Sequence, residues 1–141
     1  MEFKLHHLGC AVKNIETAIK YYTNIMGFSI YQNVFDYKPQ NIKVAFLAMN
    51  DNTLLELVEG VNEFSPVKKI IDLLGGGVYH ACYEVKCLEE TVQYLCNHNF
   101  IKHRKTQMEN EDFKAVYMIT PDNYLMELIE LKNDRRRGLD E

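Results

Sequence analysis

No apolar stretch in this chain approaches the roughly eighteen residues that a membrane-spanning helix needs. The opening MEFKLHHLGC has no basic-then-apolar leader with a small-residue cleavage site, so the expectation is a cytoplasmic protein with no membrane partner. Positive charge is also short. Lys+Arg 16 against Asp+Glu 20 leaves a formal charge of -4, which gives nothing to draw the chain onto a phosphate backbone and argues against a nucleic-acid partner. The four cysteines, Cys10, Cys82, Cys87 and Cys96, form no CxxC pair, and they read as buried reduced thiols. What is present is 141 residues with 47% hydrophobic content, enough for one domain whose core needs no staples, and this excludes disorder.

The chain repeats itself. Residues 7 to 22, HLGCAVKNIETAIKYY, align without a gap on residues 80 to 95, HACYEVKCLEETVQYL, and share His7/His80, Val12/Val85, Lys13/Lys86, Glu16/Glu89 and Tyr21/Tyr94. Residues 53 to 59, TLLELVE, match residues 124 to 130, YLMELIE. Each copy opens with a short apolar run bearing a His, passes into a helical pattern, and ends in alternating segments of which the last bears a Glu. The fold class is therefore expected to be α+β, built from two tandem β-α-β-β-β modules.

In the first copy Ile15, Ala18, Ile19, Tyr22, Ile25 and Met26 fall on one helical face, and Gly27 is placed to stop the helix. In the second, Leu88, Thr91, Val92 and Leu95 do the same. FSIYQNV, IKVAFLAM and TLLELVE are the remaining strands of copy one, and FIKHRK, FKAVYMIT and YLMELIE those of copy two. Asn50 to Asn52 and Thr120 to Asn123 stand as equivalent turns before the last strands. Between the copies SPVKKIIDLLGGG carries Ser65 as a helix cap and Pro66 at the first helical position. The expected organisation is one domain over 1-132, with module one at 3-60, a helical linker at 61-77, module two at 78-131, and a solvated tail at 133-141 holding Arg135 to Arg137.

Side chains alternate along a strand, so Glu56 points where Leu54 and Val58 point, and Glu127 where Leu125 and Ile129 point. A carboxylate on an apolar face is costly unless paired or bound to a cation, and here the cost recurs at corresponding positions. Glu59 and Glu130 fall on the opposite face and call for no such explanation. His7 aligns with Gly9 and Ala11, and His80 with Cys82 and Glu84, so small neighbours leave space beside both imidazoles. A lone strand His is most often a satisfied core residue. Both residue types returning at both equivalent positions favour ligands instead: His7, Glu56, His80 and Glu127 form an N2O2 set for one divalent metal ion (Co, Ni, Mn, Zn or Fe) with positions open to water or substrate. His6, His98 and His103 lack counterparts in the other copy and stand as surface or packing residues.

These residues resemble the vicinal oxygen chelate superfamily (glyoxalase/bleomycin resistance/dioxygenase), in which paired modules form a cupped mixed sheet around one metal. The resemblance covers residues 5 to 131. Within it HHLGCAV, the SPVKKII linker, GGVYHACYEV and YLMELIE are similar to methylmalonyl-CoA epimerases, and on that likeness the ligands fall on the same four residues. It implies a metal-dependent isomerase acting beside the carbonyl of an acyl thioester, a homodimer, and Glu127 as both ligand and catalytic proton carrier. Glyoxalase I, lactoylglutathione lyase, shares the His, Glu, His, Glu set, but its usual glutathione-contacting Arg is replaced by Ala11. The resemblance extends to metal-free antibiotic-binding modules and to extradiol dioxygenases, which are built on the same fold. It also implies an acid/base glutamate just before the third strand, where this chain has Pro39 and Gln40; Asp36, Glu109 and Glu111 are the nearest acidic candidates.

Overall fold

A computed structural model describes residues 1–132; the expected tail, with Arg135 to Arg137, lies outside the described residues. The chain divides into two compact units, His7–Tyr79 and, together, Met1–His6 with the residues from His80 onward. The class is α+β, of mixed sheet and three α-helices among the described residues.

In the first unit the strands are β1 (Lys4–Ala11, entering this unit at His7), β2 (Ser29–Tyr37), β3 (Ile42–Ala48) and β4 (Leu54–Gly60), in the order β2-β3-β4-β1. β1 and β4 run parallel and the other neighbours antiparallel. Helix α1 (Ile15–Asn24) begins at Asn14, whose Oδ1 accepts from the Thr17 amide at 2.9 Å. It buries Ile15 and Ala18 against Cys10, Ala45, Leu47, Leu55 and Leu57 on one face of the sheet. Gly27 ends it with φ +78°, and the Phe28 amide returns to the Tyr22 carbonyl at 3.0 Å, a closure one residue wider than a Schellman cap. The predicted apolar face is too long: Ile25 and Met26 follow the last helical turn and are exposed. The opposite sheet face carries Ala11, Val44 and Val58 and is packed by Val67, Ile70 and Ile71 of α2 (Pro66–Leu74), which Ser65 caps.

The second unit repeats this plan with β5 (Gly77–Glu84, entering at His80), β6 (Ile101–Glu109), β7 (Phe113–Ile119) and β8 (Leu125–Leu131), in the order β5-β8-β7-β6. Helix α3 (Leu88–Cys96) covers Val116, Met118 and Leu128. The other face holds Cys82, Ala115 and Ile129. The turns before β4 and β8 are equivalent, with Asn52 and Asn123 both left-handed at φ 67° and 66°.

The cysteine expectation needs correcting: Cys10 and Cys82 are buried, but Cys87, at the start of α3, is half-buried, and Cys96 is exposed because α3 turns that side of its last turn to solvent. Among the described residues no helix is long and apolar enough to cross a membrane.

Candidate functional site

Each unit brings one predicted histidine to one predicted glutamate. In the first, parallel register sets Gly9 of β1 beside Glu56 of β4, so His7 stands two residues earlier on the same face, and its Nε2 lies 3.4 Å from Glu56 Oε1. In the second, Cys82 of β5 stands beside Glu127 of β8, and His80 Nε2 lies 3.1 Å from Glu127 Oε1. The stagger is the same in both. A glycine or a cysteine opposite the carboxylate leaves the space through which an imidazole two residues away reaches it, and this is the room that the small neighbours in the sequence predict. His7, His80 and Glu127 are buried and Glu56 is half-buried.

The donor separations suit a metal. Nitrogen and oxygen ligands sit roughly 2.0 to 2.2 Å from an ion such as zinc, so neighbours on one ion come about 3 to 3.5 Å apart. Each pair meets that spacing with one ring nitrogen and one carboxylate oxygen.

An aromatic residue that the sequence reading missed completes each pair. Phe46 on β3 is the cross-strand partner of Glu56, and its ring meets the His7 ring edge-on with centroids 5.6 Å apart. Tyr117 on β7 is the partner of Glu127 and meets His80 in the same way at 5.1 Å. Such edge contacts fix the plane of an imidazole and thereby aim its nitrogen. The signal was present in the repeat, since Phe46 and Tyr117 precede their glutamates by the same number of residues.

The outer glutamates also have a task, against expectation. Glu59 Oε1 accepts from the Ile15 amide at 2.8 Å, and Glu130 Oε1 from the Leu88 amide at 2.7 Å, so each closes the first turn of its unit's helix. Of the remaining histidines, His6 is buried and His98 is exposed on Tyr94. His103 is half-buried on β6 and directly across from Tyr117, on the face that carries Glu127. Of the acidic candidates near the missing glutamate, Asp36 and Glu111 are exposed, and Glu109 is held by Lys132 at 2.7 Å, which lowers its carboxyl below the usual range.

Residues 6–132 match the family model described as Glyoxalase/Bleomycin resistance protein/Dioxygenase superfamily. The chain belongs to that superfamily. An uncharacterised protein of Bacillus subtilis (strain 168) is 29% identical to this superfamily member over 136 residues, covering 94% of this chain and 95% of the other. The mitochondrial methylmalonyl-CoA epimerase of Homo sapiens is 28% identical over 112 residues, 79% of this chain and 59% of that protein, so the chain matches about three fifths of that relative's length. Among solved structures, methylmalonyl-CoA epimerase from Mycobacterium tuberculosis superposes with a TM-score of 0.79 at 23% identity, covering 90% of this chain and 87% of that one; the likeness is one of fold.

Proposed function

We propose that this protein is a divalent-metal-dependent isomerase that moves a proton at the carbon beside a thioester carbonyl, in the manner of methylmalonyl-CoA epimerases. His7, Glu56, His80 and Glu127 are the metal ligands in this reading, and residues 1–132 act as one domain. What carries it is the His–Glu pair, repeated at one stagger in both units with donors 3.4 and 3.1 Å apart. Packing alone has no reason to produce a histidine, a carboxylate and an edge-on aromatic twice at equivalent positions. Relatives named as methylmalonyl-CoA epimerases supply the reaction class and an acyl-CoA thioester as the substrate.

A bound divalent ion supplies positive charge against which the oxygen of a deprotonated carbonyl compound is stabilised. The chain's own residues do the rest. Phe46 and Tyr117 hold the imidazole planes, and the apolar neighbours Ile129, Ala115 and Cys82 keep water from the Glu127 side. Glu127, buried and on the strand that ends the repeat, takes the proton from the substrate carbon.

The test is to assay the metal-loaded protein for interconversion of the methylmalonyl-CoA epimers beside lactoylglutathione formation, with Glu127→Gln as control. The reading expects epimerisation in the parent, loss of at least about a hundredfold in the variant, and at least partial metal retention. Lactoylglutathione formation without epimerisation would move the protein to the glyoxalase I class. Failure to bind Co or Ni would leave a metal-free binding module. A homodimer belongs to the same proposal, supported by the exposed apolar side chains of Ile25, Leu73 and Leu74 and checked by light scattering.

A further inference from the structure

The two units share a backbone plan but not a chemistry. Across β2, β3, β4 and β1 the cross-strand partners on one face are Gln32, Phe46, Glu56 and Gly9. Across β6, β7, β8 and β5 the equivalent row is His103, Tyr117, Glu127 and Cys82. Gln32 and Phe46 cannot carry a proton; His103 and Tyr117 can. Both ladders shift register beside this row, on either side of Gln32 in one unit and between His103 and Met108 in the other. A bulge of this kind bends the strand and re-aims the side chain beside it, and such bulges gather next to active sites.

We propose that His103 is a catalytic acid/base, and that the reacting carbon of the substrate sits over the Tyr117 ring, between His103 and Glu127. Adjacent strands lie about 4.8 Å apart, so residues two strands apart have backbones about 9 to 10 Å apart. Side chains rising from that spacing flank the Tyr117 ring, so a carbon laid on the ring has a proton carrier on each side of it. This rests on the reading of the protein as an enzyme that deprotonates an acyl thioester. The Cα–H bond breaks toward the Glu127 carboxylate and its electron pair moves to the carbonyl as an enolate. A new bond then forms on the opposite face, with the proton supplied by the His103 imidazolium. Glu127 has gained a proton and His103 has lost one, and exchange with water resets both. Inversion needs both groups; exchange with retention needs only one. Tyr117 forms the floor beneath the carbon, and Phe46 marks the same place in the unit that moves no proton.

The experiment feeds each methylmalonyl-CoA epimer separately to the metal-loaded protein in D2O and follows configuration and deuterium at the α-carbon. The parent should invert both epimers with deuterium uptake. His103→Gln, which installs the residue found at position 32, should slow inversion at least about a hundredfold. It should still wash deuterium, with retention, into the one epimer whose proton faces Glu127. Its affinity for Co and its melting temperature should match the parent's, and His103→Asn provides a second variant with the same expectation. Inversion at the parental rate in either variant, or equal loss of exchange in both epimers, would overturn the role. A parent that neither inverts nor exchanges either epimer would overturn the thioester reading and this inference with it, an outcome distinct from an active parent with active variants.

Discussion

Glu130, at the end of β8, accepts a 2.7 Å hydrogen bond from the Leu88 amide at the start of α3, although the two residues are far apart in sequence. The residue before that helix, Cys87, makes no side-chain cap bond, so the carboxylate from β8 is the side-chain acceptor at this helix start, on the first helical amide rather than the second or third that a Ser or Asp cap engages. In the other unit Glu59 reaches Ile15, but there Asn14 also caps the Thr17 amide. Glu130→Ala should therefore cost about 1 to 2 kcal/mol, and Glu59→Ala about half as much. Urea denaturation of both variants checks the order; equal losses would show that the Asn14 cap does not share the load.

His7→Ala and His80→Ala should weaken metal affinity by similar factors of at least about a hundred, because each removes one donor from an equivalent pair. Neither should unfold the protein, since each unit's larger core lies on the face packed by its helix. Isothermal titration with Co, and melting with and without the ion, measure this. With free ion at about a hundred times its dissociation constant, binding should stabilise the parent by about 2.7 kcal/mol, and chelation should remove that gain. A variant that binds as the parent does would make its histidine structural.

Cys96, exposed near the end of α3, should be alkylated first by iodoacetamide, and half-buried Cys87 next. Cys10 should resist until the chain unfolds: burial pushes its thiol up, only partly opposed by contact with the Tyr22 hydroxyl at 3.6 Å, and the thiolate fraction is small. Cys82 shares that protection through burial. Mass spectrometry of partly labelled protein reads the order, and early labelling of Cys10 would contradict the packing around it.

Gly60 ends β4 where a Cβ would come within 2.8 Å of Ser65 Oγ and 2.9 Å of the Lys68 backbone nitrogen. Ser65 is the cap of α2, so a methyl group there must push aside the first turn of that helix. Gly60→Ala should destabilise by about 1 to 3 kcal/mol. An unchanged denaturation midpoint would show that the loop from 61 to 65 yields freely.

Self-similarity made the modules legible, and strand parity made the inward glutamates legible, because both depend only on the order of residues. Register does not. The repeat marks Phe46 and Tyr117 as equivalent, but nothing in one strand tells which residue of another lies beside it, so their contact with the glutamates and the place of His103 in the row are fixed by the ladders alone. The capping roles of Glu59 and Glu130 were hidden for the same reason. The end of α1 was overrun because apolar period alone cannot show that Ile25 and Met26 fall beyond the last turn, where Gly27 has already turned the chain.

Glu56 and Glu59 ride on one strand, as do Glu127 and Glu130, and each pair has one carboxylate facing a histidine and the other facing a helix. The outer glutamate thus behaves as an indexing pin. A slip of β4 by one residue would turn Glu56 away from His7 and pull Glu59 off Ile15 together, and the same holds for β8. Assembly of the inner pair and closure of the helix then become a single cooperative event, so an error in strand alignment is penalised on both faces of the sheet.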